Sequence, residues 1–257
     1  MSKKALIAVS FGTVDRKARK AIEQLEGQLK AAFPAYDLFR AFTSRKVAER
    51  IEREQGEHIP APDELLEKLA AEGYEEVRCQ SLHMICGKEY EKMLAQAEPY
   101  RSRFADFRIG KPLLWDTQDY LRLTNALVVA MPRLDSDEAY IFMGHGSAHP
   151  SNAAYALVEN SFRYHGAERV YVGTTEGFPH LDYILARLHR KDVTHVYLAP
   201  LMITAGEHAH TDLAGDGEAS WKNRLAGEDF LVDLQMTGLG EIPGVGAIFV
   251  DHCRKAE

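Results

Sequence analysis

The chain has 257 residues, of which 46% are hydrophobic and 27% charged, and its formal net charge is −7. This composition is that of a globular protein with a sizeable core. The acidic balance argues against a nucleic-acid partner, which requires a basic face, and three irregularly spaced cysteines do not form a disulfide framework. No apolar stretch has the length of a membrane span, and the N-terminus lacks a signal-peptide pattern. We therefore expect a cytoplasmic protein without a membrane partner.

Short apolar runs alternate with amphipathic helical segments along the first half of the chain. In chain order the pattern predicts a strand at Ala5–Ser10, a helix at Lys17–Phe33, a strand at Tyr36–Phe42, a helix at Pro62–Glu72, a strand at Val77–Leu82, a helix at Lys88–Ala97, a strand at Phe107–Leu114 and a helix at Asp119–Met131. Strands that alternate with helices of this length indicate parallel βαβ units.

The second half repeats this order. The pattern predicts a strand at Ala139–Met143, a helix at Ser151–Arg163, a strand at Val170–Gly173, a helix at His180–His189, strands at Val193–Leu201 and Phe230–Met236, and a final helix at Val245–Arg254. The segment Leu6–Thr13 aligns with Tyr140–Ser147, and Val77–Glu89 aligns with Val196–His208. The repeat predicts two lobes, residues 1–130 and 131–257, with the last helix free to cross back to the first.

The predicted fold class is therefore α/β, with two similar lobes that each contain a doubly wound parallel sheet flanked by helices. Ligands of such sheets bind beyond the carboxyl ends of the strands. We accordingly expect an active site in the cleft between the lobes, with the functional side chains just beyond strand ends.

Three predicted strand ends carry side chains that are able to bind a metal ion. His145 lies between two glycines, which let the backbone turn sharply and a ligand approach closely. Glu176 and His208 follow the next two strands of the second lobe. Imidazole binds metals and transfers protons near neutral pH, although an ordinary loop histidine and a solvated loop acid stay open as alternatives.

His208 and His210 are two residues apart, and residues two apart on a helix do not share a face, so at most one should reach the site. Asp212 lies four residues after His208 and is a candidate hydrogen-bond partner for a ligating imidazole, although a capping or surface role is the default interpretation for Glu207, His210 and Asp212. Two histidines and a glutamate suit Co²⁺, Ni²⁺, Fe²⁺ or Zn²⁺ without selecting among them. No HExxH pattern of a metallohydrolase is present.

Several segments, taken in order, resemble the anaerobic sirohydrochlorin cobaltochelatase family, whose members are class II chelatases with the ferrochelatase-like fold. These segments are Lys4–Thr13, Asp37–Ser44, Gln80–His83, Glu89–Lys92, Phe142–Gly146, Pro200–Met202, Ala205–His208 and Gly238–Glu241. The resemblance extends over essentially the whole chain, and the ordered set is more specific than any one segment.

The resemblance implies a lyase-type chelatase that inserts Co²⁺ into sirohydrochlorin, with release of two protons, in anaerobic cobalamin (vitamin B12) biosynthesis. It implies His145, Glu176 and His208 as the metal ligands. His145 and His208 would be catalytic, with His145 the main proton acceptor. No tightly bound cofactor is expected, because the metal enters as a substrate, and Fe²⁺ or Ni²⁺ are open alternatives to Co²⁺.

We expect the tetrapyrrole to contact a set of residues near the strand ends of both lobes: Ser10, Phe11, Gly12, Thr13, His83, Glu89 and Met202. Arg45, Lys46 and Lys88 are candidate partners for its carboxylates. Three other functions stay open at this point: a sirohydrochlorin ferrochelatase for sirohaem synthesis, a non-catalytic metal or tetrapyrrole carrier, and a metal-dependent hydrolase. A homo-oligomer is also open.

Overall fold

A computed structural model describes residues 2–257 and divides the chain into two compact units. The first unit comprises the chain up to Trp115 together with Val245–Glu257, and the second comprises Asp116–Gly244. Each unit contains one parallel sheet of four strands with helices packed against it. The predicted α/β class with two similar lobes is confirmed.

The sheet of the first unit has the strand order β2-β1-β3-β4, in which β1 is a central strand. Its strands are β1 (Lys3–Ser10), β2 (Asp37–Phe42), β3 (Tyr74–Ser81) and β4 (Asp106–Gly110), and the helices among them are α1 (Arg16–Ala32), α2 (Arg45–Gln55), α3 (Pro62–Ala71) and α4 (Lys88–Ala97). Residues 5–10 of β1 are all buried, as expected for a parallel strand covered on both faces.

The second sheet has the order β6-β5-β7-β8, which is the order of the first sheet repeated. Its strands are β5 (Glu138–Gly146), β6 (Val170–Glu176), β7 (His195–Pro200) and β8 (Leu231–Leu234), and its helices are α5 (Thr117–Ala130), α6 (Ala153–Tyr164), α7 (Leu181–Leu188) and α8 (Trp221–Ala226).

Matching backbone hydrogen bonds support the internal repeat at the level of single residues. The amide of Leu82 donates to the carbonyl of Val9 over 2.7 Å, and the amide of Leu201 donates to the carbonyl of Met143 over 2.7 Å. Both donors and both acceptors are paired by the sequence alignment. The two halves therefore form the same backbone hydrogen bond at the carboxyl ends of equivalent strands, although few of the aligned residues are identical.

The boundary between the units lies at 115/116, whereas the sequence predicted 130/131. Helix α5 belongs to the second unit because it packs against α6, and the His165 imidazole donates to the Leu121 carbonyl over 3.1 Å. Sequence order placed this helix at the end of the first repeat, but contacts between side chains decide which unit a helix joins.

The last helix, α9 (Val245–Arg254), lies in the first unit and packs on α1. The Arg78 guanidinium donates to the Cys253 carbonyl over 2.8 Å, and the Ile109 amide donates to the Glu257 carbonyl over 2.9 Å. The C-terminal segment thus extends the first unit, and its helix has the bounds that the sequence predicts.

Two strands run further than predicted. Strand β5 continues through His145, and β6 continues through Glu176, because the parallel pairing extends to Gly144 with Thr174 and to Gly146 with Glu176. The sequence prediction ended these strands at Met143 and Gly173, where glycine and polar residues begin. Both candidate ligands therefore lie on the last residues of strands and not beyond them.

Helices α2 and α8 were not predicted, and the predicted strand Phe107–Leu114 ends at Gly110. Helix α2 is rich in charged residues and buries only Ile51, so its apolar periodicity is weak. Within residues 2–257, every helix is too short or too polar to cross a membrane.

Candidate functional site

Two of the three predicted ligands meet at the carboxyl end of the second sheet. The imidazole rings of His145 and His208 have their centroids 4.5 Å apart, with an angle of 89° between their planes. His145 is the penultimate residue of the central strand β5, and His208 follows β7, its neighbour in the sheet. Adjacent parallel strands bring their carboxyl ends to one edge, and this topology places the two rings in contact.

The hydrogen bond of His145 determines which ring nitrogen offers a lone pair. Its Nδ1 lies 2.9 Å from the carbonyl oxygen of Gly146. A carbonyl only accepts hydrogen bonds, so Nδ1 carries the hydrogen and the neutral ring keeps its lone pair on Nε2. A nitrogen in this state is able to bind a metal ion or accept a proton.

His208 has the same tautomer for a similar reason. Its Nδ1 donates to Oδ2 of Asp212 over 2.7 Å, which is the contact that the four-residue spacing predicts. This pair spans a π-helical turn, Ala209–Leu213, closed by a hydrogen bond from the Ala214 amide to the Ala209 carbonyl. A π-helical turn is rare and frequently marks a functional site. A carboxylate on Nδ1 also fixes the orientation of an imidazole that binds a metal through its other nitrogen.

Glu176 ends β6 on the other side of β5, in register with Gly146, and its side chain is exposed. Across the described chain, residues 2–257, no three His, Cys, Asp or Glu side chains form a group arranged to hold a metal ion. The structure therefore brings together the two histidines, while the role of Glu176 as a third ligand stays a prediction.

Contacts between the ends of β5 and β6 keep the backbone of Glu176 close to that of His145. The Thr175 hydroxyl donates to the His145 carbonyl over 2.8 Å. Gly146 has φ +80°, and a Cβ atom there would lie 1.7 Å from the Glu176 carbonyl oxygen. Only glycine permits both this backbone conformation and this approach. Sequence reasoning missed Thr175, although it directly precedes a candidate ligand.

The first unit has its own polar cluster at the carboxyl end of its sheet, and it contains two residues of the predicted substrate set. The Thr43 hydroxyl donates to Oε2 of Glu89 over 2.6 Å, and Nε2 of His83 lies 3.4 Å from the same hydroxyl. Ser81 Oγ lies 2.9 Å from Nδ1 of His83. Sequence reasoning missed Thr43 and Ser81, although both stand at strand ends, where the general rule for parallel sheets would have found them.

His83 is buried, and this burial, together with the nearby Lys92 ammonium, lowers the pKa of His83 to about 4. Between about pH 6.5 and pH 4 the unfolded chain therefore binds a proton that the folded chain does not. Stability should fall as the pH drops through this window, by about 2 kcal/mol between pH 7 and pH 5.

Denaturant unfolding at pH 7 and pH 5 tests this prediction, with His83→Gln as the comparison. The variant should lose this part of the pH dependence and keep the part due to other groups. An equal loss of stability in wild type and variant between the two pH values would contradict it.

The remaining predicted substrate residues differ in exposure. Phe11 is 47% exposed, whereas the Ser10 and Thr13 side chains are buried. Gly12 has φ +97°, and a Cβ atom there would lie 2.4 Å from the Phe42 ring. Met202 is partly buried against the core of the second unit. In the segment 10–13, direct contact with a bound molecule is therefore open to the Phe11 ring and the backbone, and not to the buried side chains.

The three candidate cations also differ in their surroundings. Lys46 and Lys88 are exposed, but Arg45 donates to Asp63 over 3.0 Å. Arg45 lines a cavity of about 570 Å³ in the first unit whose wall contains five carboxylates, those of Glu49, Glu52, Asp63, Glu64 and Glu67. These charges make the cavity unsuited to an anionic substrate, and Arg45 is the weakest of the three candidates.

Solved structures share this fold over nearly the whole chain. SirB from Bacillus subtilis, solved with Fe³⁺, has a TM-score of 0.64 at 14% identity, over 98% of this chain and 95% of that chain. CbiX, the terminal enzyme for biosynthesis of siroheme in denitrifying bacteria, has a TM-score of 0.55 at 20% identity, over 99% of this chain and 100% of that chain. The chain has the fold of the two-lobed chelatases.

Sequence comparison defines the family more closely. The sequence model of the cobalt chelatase (CbiK) family matches residues 4–257. The sirohydrochlorin cobaltochelatase of Salmonella typhimurium is 41% identical over 257 residues, 99% of this chain and 96% of that protein. The sirohydrochlorin cobaltochelatase CbiKC of Nitratidesulfovibrio vulgaris is 32% identical over 259 residues, 100% of this chain and 91% of that protein. This chain belongs to the cobalt chelatase (CbiK) family, which confirms the resemblance stated from its motifs.

Proposed function

We propose that this chain is a sirohydrochlorin cobaltochelatase, which inserts Co²⁺ into sirohydrochlorin and releases two protons in anaerobic cobalamin biosynthesis. The observation that carries the proposal is the His145 and His208 pair, whose Nδ1 atoms are both hydrogen-bonded so that both Nε2 atoms keep a lone pair. The substrate is supported by the two relatives, both of which are sirohydrochlorin cobaltochelatases.

The histidine pair suits a metal ion that binds the protein first and then passes to the ring nitrogens of the substrate. We propose that the two neutral imidazoles hold Co²⁺ through Nε2 and that the exposed carboxylate of Glu176 is the third ligand. Three protein ligands leave positions open for water and for the incoming ring nitrogens. We propose that no cofactor is bound tightly and that Co²⁺ is a substrate.

Proton removal follows from the same pair. Each pyrrole N–H must lose its proton before the ring nitrogen binds the metal, and a neutral imidazole accepts a proton near neutral pH. A nitrogen that binds Co²⁺ has no lone pair for a proton, so His145 becomes a base only as the metal passes to the ring. Asp212 stabilises the positive charge if His208 is the acceptor of the second proton.

On the first unit, we propose that the Phe11 ring and the backbone of residues 10–13 contact the tetrapyrrole, with Lys46 and Lys88 near its carboxylates. In the cluster of Thr43, His83 and Glu89, the Thr43 hydroxyl sets the orientation of the Glu89 carboxylate. Placement of the whole site in a cleft between the lobes stays a prediction, as does a cytoplasmic location, which cell fractionation tests.

An anaerobic assay tests the function directly. Purified protein is mixed with sirohydrochlorin and Co²⁺, and the change in absorbance is compared with that of a mixture without enzyme. A rate well above the spontaneous rate is expected. Faster insertion of Fe²⁺ or Ni²⁺ than of Co²⁺ would support the ferrochelatase or nickel alternative, and stoichiometric binding without turnover would support a carrier.

A further inference from the structure

Asn152 joins two loops of the second unit, the loop after β5 and the loop after β6. It precedes the first residue of α6, and its side-chain amide contacts the backbone of both loops. We propose that Asn152 is a positioning residue that clamps these loops together and so sets the placement of Glu176 relative to His145. This inference rests on the proposed function, in which both residues bind Co²⁺.

The two partners of Asn152 determine the orientation of its amide. The backbone amide of Ser147 donates to Oδ1 over 2.9 Å, and Nδ2 donates to the carbonyl of Phe178 over 2.6 Å. An N–H group requires the oxygen and a carbonyl requires the nitrogen, so neither end is interchangeable. Ser147 is two residues after His145, and Phe178 is two residues after Glu176. The clamp therefore connects two positions that each lie two residues along the chain from a proposed ligand.

Gly177 shows how close the second loop comes to the first. Its φ is +100°, and a Cβ atom there would lie 3.1 Å from the Ser147 carbonyl oxygen and 3.3 Å from both amide atoms of Asn152. A glycine at this position lets the chain after Glu176 pass close to the Asn152 amide. The two loops therefore approach each other closely at Gly177, where an added side chain would have to displace its neighbours.

The far end of the second loop is anchored as well. The amide and the hydroxyl of Thr174 both donate to the carbonyl of Pro179, over 2.7 and 3.1 Å. The residues between them, 175–178, comprise the last two residues of β6 and the first two of the loop that follows, and the Phe178 carbonyl in this loop accepts the hydrogen bond from Asn152. Glu176 therefore has a backbone held by strand pairing and an exposed side chain.

The start of α6, which directly follows Asn152, is also held in place by contacts of its own. The Asn152 backbone amide donates to the His149 carbonyl over 2.9 Å, and Tyr155, one turn into α6, packs against Gly144 of β5. A Cβ atom on Gly144 would lie 2.2 Å from the Tyr155 ring. The start of α6 is thus held on the strand that carries His145. Metal ligands need placement to within about 0.5 Å, which this rigid connection is able to supply.

Asn152→Ala tests the proposal, with Ser151→Ala as the matched control in the same turn. Ser151 hydrogen-bonds to His149 over 2.8 Å, so its loss perturbs the turn and leaves the link to the Phe178 carbonyl intact. Co²⁺ alone is titrated into each protein, and its visible absorption reports affinity and coordination geometry. We expect Asn152→Ala to bind Co²⁺ about 10- to 100-fold more weakly, with a changed spectrum, as found when partners that orient metal ligands are removed.

Steady-state kinetics separate positioning from general damage. The KM for Co²⁺ should rise in Asn152→Ala while the KM for sirohydrochlorin stays at its wild-type value, and Ser151→Ala should match wild type in both. Circular dichroism confirms that the variant is folded. If a folded Asn152→Ala binds Co²⁺ with wild-type affinity and spectrum, the clamp is overturned. If His145→Ala also binds Co²⁺ like wild type, the metal site itself fails, and the role of Asn152 fails with it.

Discussion

Replacing His145 with alanine should lower the rate of Co²⁺ insertion into sirohydrochlorin about 100-fold or more. The substitution removes one of the two Nε2 lone pairs at the carboxyl end of the second sheet, and with it the proposed proton acceptor. The anaerobic assay that follows the absorbance of the tetrapyrrole measures this loss at saturating Co²⁺ and at limiting Co²⁺.

His210→Ala is the matched control, because it removes an exposed imidazole two residues from His208 that the helical geometry directs elsewhere. It should insert Co²⁺ at close to the wild-type rate. If His145→Ala keeps the wild-type rate, the chelatase function stands but His145 has neither of the proposed roles. Comparable losses in His145→Ala and His210→Ala would point to a general effect of removing imidazoles from this region.

The second large effect is expected on stability, from Glu159→Ala. Glu159 is a buried carboxylate of α6 that accepts from the Val172 amide over 2.9 Å and pairs with Arg163 and Arg187, each at 2.7 Å. Without it, two partly buried guanidinium groups and a strand amide lose their partner. Breaking a buried pair in this way costs about 3–5 kcal/mol, which denaturant unfolding at pH 7 would measure.

Asp216→Ala supplies the comparison, because Asp216 pairs with Lys222 at the surface over 3.1 Å. An exposed pair contributes about 0–1 kcal/mol. Equal effects of the two substitutions would contradict the role of burial.

The pH dependence of this effect has a definite sign. Burial raises the pKa of Glu159, but the hydrogen bonds from Arg187, the Val172 amide and Arg163 outweigh it and lower the pKa overall. A lowered pKa in the folded state contributes stability above the unfolded value of about 4.3, and this contribution is lost as the pH falls through the folded pKa. The difference between wild type and Glu159→Ala should therefore be full at pH 7 and shrink below about pH 4.

Much of the fold follows from the sequence because parallel βαβ units have a strong local pattern. Buried strands appear as apolar runs, and α9 was predicted with its observed bounds, Val245–Arg254. The repeat predicted equivalent strands, and the two sheets do have the same strand order. Helix α2 was missed because a charged surface helix with one buried residue has little apolar periodicity to detect.

The candidate site was predictable only in part. Strand-end positions and glycine neighbours singled out His145. The four-residue spacing made Asp212 a candidate partner of His208 beside a capping or surface role, and the structure contains the bond between them. Thr43 stands at a strand end, where the rule for parallel sheets applies, but its bond to Glu89 joins positions 46 residues apart. Asn152 was not found because its bond to Phe178 joins positions 26 residues apart, and no local pattern reports such a contact.

The sequence by itself determined the α/β class, the internal repeat, the family and the three candidate metal ligands, since these depend on local periodicity and on ordered motifs. Only the tertiary structure decided that α5 joins the second unit and that α9 joins the first. It also decided that β5 and β6 continue to the candidate ligands, and that His145 and His208 stand in contact. Packing and strand pairing between distant segments produce these outcomes, and they depend on which surfaces fit together in three dimensions.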